Sequence, residues 1–413
     1  MVFKKLHLIT QLTIFLFLLA VNNSFCKETL FIQTIGGDQI YQSKSIKATT
    51  DNGYIITGQY GNDQIGSDIA IMKFDNNQKK QWSITANIDF KDWANDIVQT
   101  NDGGYIVGGV TCNSTGSSDI IVLKIDKNGL LEWKYSVGGN GSESVYSVKQ
   151  TSDNGFVLVG HSSSYGTTKY GLLIVKLDKN GNLEWSKITG DDNTENVAKE
   201  VQETLDNGYI VVGYTDSYGV GKRNILLLKY DNSGNLEWTK VIDGHKSEWG
   251  NYVRQAKDEG FIVIGRTRSY GSEDDDIIIL KFDKNGNHEW SKIIDNEKDD
   301  EAISITNTLD QQYVIAGNSK SFDQENNYDA FIMQLNENGN IVWSRRIGGT
   351  NNDIINSLDQ TNTGGIILAG ATESFNLTTS NLLIGAPSKA WSFLQGESPC
   401  RVRFSQPPVS SVA

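Results

Sequence analysis

Asp126, Asp178 and Asp283 each stand two residues ahead of an asparagine and three ahead of a glycine. A carboxylate, an amide and a glycine turn are parts of a calcium loop. An EF-hand loop, however, needs Asp-x-[Asp/Asn]-x-[Asp/Asn]-Gly and a Glu at its twelfth position. Too few oxygens converge here, so these residues read as a turn. The Asp accepts backbone N–H groups of its own turn, and the Gly supplies the positive φ. Two acidic runs, Glu273–Asp276 and Asp295–Glu301, are expected to meet. Their oxygens are of the kind that hold calcium. Asp274, Asp275, Asp299 and Asp300 are weak metal candidates, set against a solvated acidic rim. No cofactor is otherwise implied.

Catalytic signatures are absent. His161, His245 and His288 occupy unrelated positions without metal spacing, and neither Gly-x-Ser-x-Gly nor His-Glu-x-x-His occurs. Carboxylates are plentiful, but no spacing marks an acid–base pair of a glycoside hydrolase or lyase. A carbohydrate-active enzyme is therefore the alternative reading, and a binding scaffold the first. A structural cell-surface component is the third.

These residues sit in a repeat. Trp82, Trp133, Trp185, Trp238, Trp290 and Trp343 are spaced by 51, 52, 53, 52 and 53 residues. A second marker keeps step: a turn such as Asp-Asn-Gly, ending on Tyr54, Tyr105, Phe156, Tyr209, Phe261 and Tyr313. A weaker copy ends on Ile366. Each unit reads as four short strands, with Asn-Gly as the hairpin signal and alternating apolar residues in the first strand. In the unit 141–190 the third strand, "GLLIVKLD", reads as buried on both faces. Four antiparallel strands every 52 residues or so predict a β-propeller rather than a solenoid.

The seventh unit lacks its outer strand. "TLFIQTIGG" (29–37) aligns with the outer strands of the other units. The expected fold is an all-β, seven-bladed propeller of four-stranded antiparallel blades, closed by this N-terminal strand. Closure would bury two open edges.

The Asp-x-Asn-Gly-x-x-x-Trp segment resembles the tryptophan-docking motif of quinoprotein-type propellers. That resemblance implies a structural role: the Trp packs on the neighbouring blade. The chain as a whole resembles propeller-repeat proteins of bacterial and archaeal cell surfaces.

Lys4 and Lys5, the apolar run Leu8–Val21 and a polar stretch follow the order of a secretory signal peptide, assigned to 1–26. The propeller spans 27–386. Residues 387–413 hold all four prolines and lack strand alternation, and they read as a disordered tail. Outside the leader only Cys112 and Cys400 occur, and their pairing is left open. A formal charge of −13 argues against nucleic acid and anionic membrane as partners. A secreted monomer with no membrane span after cleavage is expected.

A ligand is expected at the end of the blades that carries the longer loops. Residues that break the period are the candidates. Trp93 and Trp249 lie at equivalent places near the start of an innermost strand and suggest stacking on a glycan. Arg266 and Arg268 could pair with a ligand carboxylate, as could Lys222 and Arg223, or they offset acidic neighbours. Tyr218 and Tyr270 recur with the period, beside Tyr165, Phe322 and Phe375. They either stack on a protein or glycan ligand or pack on their own loops.

Overall fold

The computed structural model describes residues 31–35, 41–62, 66–164, 169–191, 193–322, 326–374, 381–386, 401–403 and 409–411. Among them every regular element is a strand. The chain builds four-stranded antiparallel sheets one after another. The third unit is representative. Glu143–Gln150 is innermost, followed by Phe156–Ser162, Gly171–Leu177 and Leu183–Thr189. The same order is traced by the units 41–86, 91–137, 196–242, 248–295 and 300–347. A parallel bridge between Ser67 and Lys91 joins the first two units into one eight-stranded sheet. Equivalent bridges occur at Tyr170 with Glu195 and Arg223 with Ser247.

The last sheet takes strands from both ends of the chain. Asp353–Gln360, Ile366–Thr372 and Asn381–Ala386 are followed by Phe31–Ile35, which pairs antiparallel with Asn381–Ala386. The first unit packs against this sheet. Asn356 Nδ2 donates to the Ser43 carbonyl at 2.8 Å, and Ser43 Oγ donates to the Gly370 carbonyl at 2.8 Å. Ile46, Tyr54 and Met72 share a core with Ile367 and Ala369.

Burial follows strand position. The second and third strands are almost wholly buried, while the outer strand Leu183–Thr189 is mostly exposed. Two short strands lie in the stretch read as a tail. Arg401–Arg403 pairs with the outer strand of unit 248–295, and Val409–Ser411 with that of unit 196–242. Residues 1–30, Tyr165, Phe375, Cys400 and all four prolines lie outside the described residues. Cys112 is half-buried with a free thiol.

The repeated turns explain the two sequence markers. Asp178 Oδ1 accepts the backbone N–H groups of Asn180 and Asn182, both at 2.8 Å. Asp126, Asp231 and Asp283 do the same in their turns. Gly181 has φ +81°, and a Cβ there would lie 2.8 Å from the ring of Trp133 in the preceding unit. The Trp133 ring also meets Phe156 at 5.6 Å, edge-on. Thus the Trp of one unit docks on the Gly and the aromatic of the next. The same pairing recurs at Trp82 with Gly129 and Tyr105, and at Trp185 with Gly234 and Tyr209.

Beside this joint the third strand carries a buried lysine. Lys176, with a side chain 2% exposed, reaches Asp153 at 2.8 Å and Glu184 at 3.0 Å. Lys73, Lys124, Lys229 and Lys281 repeat the arrangement on their own turns. These contacts tie the two turn types together at one end of each unit. The loops between second and third strands meet the inter-unit loops at the other end: Arg268 N–H donates to the Ser247 carbonyl at 3.0 Å.

Candidate functional site

An inner strand with one extra residue is the local device that shapes the loop end. In every unit the first two strands pair with a register shift after the third residue or so, which leaves a bulge. Asn95, Asn251 and Asn356 occupy the bulge in three units. Each donates to a carbonyl of the next unit: Val145, Ala302 and Ser43. The other four units depart from this. Lys44 and Ile303 hold the bulge in units 41–86 and 300–347. Tyr146 and Lys199 hold the bulge in units 143–189 and 196–242.

Just before the bulge, cross-strand pairs face the loop end. Trp249 pairs with Arg266, Ser144 with His161, and Val197 with Tyr214. The Arg266 guanidinium lies 4.1 Å from the Trp249 ring centroid, Arg268 at 5.6 Å and Arg223 at 5.8 Å. Three arginines therefore crowd one indole that is only 8% exposed. Arg223 also lies 5.0 Å from the Tyr214 ring. Lys199 Nζ is 3.8 Å from the Tyr146 centroid and 6.0 Å from that of Tyr214. His161 is 4.2 Å from Tyr170 and 5.7 Å from Tyr146, between ring centroids. The result is a strip of alternating cations and aromatic rings across units 143–189, 196–242 and 248–295.

Carboxylates border the strip and occupy its arginines. Glu195 accepts from Arg223 at 2.7 Å. Asp275 accepts from Arg268 at 2.6 Å and Arg266 at 3.2 Å, and Glu301 lies 3.5 Å from Arg266. Burial lowers the Lys199 ammonium to about 8, and Arg266 and Arg223 push the same way against Glu301. Burial and then Lys199 hold His161 at about 4, so its imidazole is neutral. Its Nδ1 is buried without a hydrogen-bond partner.

A second charged set runs deeper along the inner strands. Lys149 bridges Asp96 at 2.7 Å and Glu200 at 3.1 Å, and Arg254 meets Glu200 at 3.3 Å. Ser45 donates to Asp96 at 2.8 Å. Burial alone would raise Asp96, but Lys149 and Lys47 outweigh it and hold its carboxyl low. This belt satisfies itself.

The candidates named from sequence separate accordingly. Trp249, Arg266 and Arg268 come together, and Arg223 joins them. The indole face is covered by Arg266, so Trp249 supports the cations rather than offering a bare stacking surface. Trp93 is half-buried at the equivalent place in unit 91–137, opposite Val110 rather than an arginine. Tyr218 and Tyr270 pack on hydrophobic cores, and Tyr270 donates its hydroxyl to the Asp243 carbonyl. Phe322 packs likewise. The acidic runs do meet: Asp300 N–H donates to the Asp275 carbonyl at 2.6 Å. Asp275 is taken by arginines and Asp299 by Lys320 at 2.8 Å. Asp300 accepts from Asn296 and Ser321, and Asp274 is exposed. Among the described residues no three His, Cys, Asp or Glu side chains are grouped to hold a metal.

Reading the residues singly missed Tyr146, Lys199, Tyr214 and His161. The signal was present once the repeats are aligned on the bulge, where three units carry Asn.

No model of a known protein family matches the chain. An alignment 198 positions long, covering 41% of the chain, is 22% identical to the regulatory protein FlaEY of Caulobacter vibrioides and spans 20% of that protein. Among solved structures the chain is similar to the Pan2 WD40 domain of Neurospora crassa, with a TM-score of 0.53 and 11% identity over 84% of this chain and 90% of that one. It is also similar to Sqt1 from Chaetomium thermophilum, with a TM-score of 0.50 and 12% identity over 81% and 80%. These likenesses carry the fold: repeated four-stranded sheets of the β-propeller kind.

Proposed function

We propose that the chain is a secreted or surface-exposed binding scaffold, a seven-bladed propeller closed by the strand 31–35, that takes a glycan or protein ligand on its loop end. One observation carries the reading. Four of the residues that break the repeat collect in one place, where Arg223, Arg266 and Arg268 surround Trp249, while Trp93 stands apart. A fold that needs only a turn and a docked tryptophan in each unit has no structural demand for three arginines on one indole. Secretion is supported by the charged, apolar and polar order of residues 4–26. The closed ring is supported by the pairing of Phe31–Ile35 with Asn381–Ala386 and by the hydrogen bonds from the first unit to the last sheet.

The test is a glycan array and a set of immobilised envelope proteins, probed with the chain from residue 27 onward. Retention on some members, lost in Arg266→Met and kept in Lys284→Ala at the opposite end, is the expected result. Retention by no member, or equal loss in both variants, would overturn the reading.

A further inference from the structure

Lys199 differs from the other cations of the strip. Arg223, Arg266 and Arg268 each have a carboxylate partner. Lys199 has no such partner among the described residues; its contacts are the faces of Tyr146 and Tyr214. A half-buried ammonium close to two guanidinium groups lacks a counter-charge. Glu301, the carboxylate that acts on Lys199, is already bound to Arg266. His161 is a second group left open. It is 8% exposed, its Nδ1 has no partner, and it lies against the rings of Tyr146 and Tyr170.

Three tyrosines, Tyr146, Tyr170 and Tyr214, are partly exposed around these groups. Sugar rings offer flat C–H faces to such aromatics, and a uronate or sulfated sugar carries its anion at the ring edge. The distance from Lys199 Nζ to the Tyr146 centroid is 3.8 Å. The ammonium thus covers one face of Tyr146, and a sugar ring lying against the exposed part of that tyrosine would bring an edge anion to the charge. An acidic peptide side chain on a flexible stem has no need of a flat surface next to the cation. The chain is otherwise strongly acidic, at −13 overall, so this positive island gives an anion one place to settle.

We infer that the loop-end surface around Lys199, bordered by Tyr146 and Tyr214, is a subsite for an anionic sugar, with Lys199 as the partner of the carboxylate or sulfate and the partly exposed tyrosines as the apolar surface beside it. The inference rests on the binding reading given above and narrows its ligand to acidic glycans. Carboxylated and sulfated sugars share the chemistry. The protonated ammonium donates to the anion.

Polygalacturonate, chondroitin sulfate and neutral xylan, immobilised separately, are the probes for the chain from residue 27 onward. Retention on polygalacturonate or chondroitin sulfate but not xylan is expected, and the first two arms tell carboxylate from sulfate. Lys199→Met should weaken retention at least about tenfold, while Lys199→Arg restores most of it. Urea unfolding of each variant shows whether the fold is kept. Retention on xylan that is equal to that on the acidic glycans, or unchanged acidic binding in a folded Lys199→Met, would overturn the acidic subsite and leave the general binding reading intact. Binding only to immobilised protein would also overturn it. Retention on nothing would overturn both.

Discussion

The guanidinium of Arg266 stacks on the indole of Trp249 at 4.1 Å; Trp249 has a counterpart in Trp93, but Arg266 stands where that unit carries Val110 and the other units carry unrelated side chains. The pair is built from a cross-strand register, Trp249 opposite Arg266, so one residue holds the other without a loop between them. Arg266 is further fixed by Asp275 and Glu301.

That arrangement separates support from recognition. Trp249→Ala should cost about 3 kcal/mol of stability, because a large buried ring is removed, and it should also abolish ligand retention. Arg266→Met should abolish retention at a cost of about 1 kcal/mol or less, since Arg268 still neutralises Asp275. Urea midpoints alongside array binding would show the two patterns.

The buried lysines give a sharper asymmetry. Lys176 is enclosed, whereas Asp153 and Glu184 are about half exposed. Removing the lysine lets both carboxylates hydrate. Removing both acids strands a buried charge, at a cost of about 3 kcal/mol or more. The double variant Asp153→Ala/Glu184→Ala should therefore be less stable than Lys176→Met, by chemical denaturation. Unit 300–347 has replaced the lysine and one of the two acids, keeping Asp310 in the place of Asp153. Gln334 replaces the lysine and bonds Gln312 and the Trp343 indole, while Val342 stands where Glu184 would.

Gly181→Ala tests the docking joint. It demands a positive φ from a residue with a Cβ and presses that Cβ on the Trp133 ring. A loss of about 1–3 kcal/mol is expected, with a changed near-UV signal from the displaced indole. A neutral outcome would mean that the joint has slack.

Most of the fold was legible because both markers of the repeat are structural. The tryptophans and the turn aromatics keep step since Trp133 must meet Phe156 and Gly181 in every copy of the joint. The meeting of the two acidic loops was also legible from their places in the unit. The candidate site was legible only in part. Trp249, Arg266 and Arg268 stand out as exceptions to the period. Lys199 and Tyr146 do not, because a bulge decides which way they point and an unmarked extra residue carries no turn signal. Lys176 was hidden differently. It sits in a strand that reads as buried on both faces, and the strand is so buried, with the charge neutralised from the turns.

Stability should depend on pH with an unusual sign. Burial raises Glu248 to about 7, Asp276 to about 7 and Asp300 to about 6. Between their ordinary values and these, the folded chain binds more protons than the unfolded one, so stability falls as pH rises through roughly 4 to 7. His161, held at about 4, acts the other way, as it binds fewer protons when folded below its ordinary value. His288, also lowered by burial, acts in the same direction as His161, and the three carboxylates outweigh the two imidazoles. The urea midpoint should be higher near pH 5.5 than near pH 8, and Asp276→Asn should flatten the difference. A higher midpoint near pH 8 would contradict the assignment.

The location of the binding face is tested most directly by backbone hydrogen exchange of the chain from residue 27 onward, with and without a glycan that it retains. Protection is predicted around 193–200, 214–223 and 247–250, where Lys199, Arg223 and Trp249 converge. Protection at 178–182 and the matching turns at the opposite end, with none at the loop end, would contradict the account.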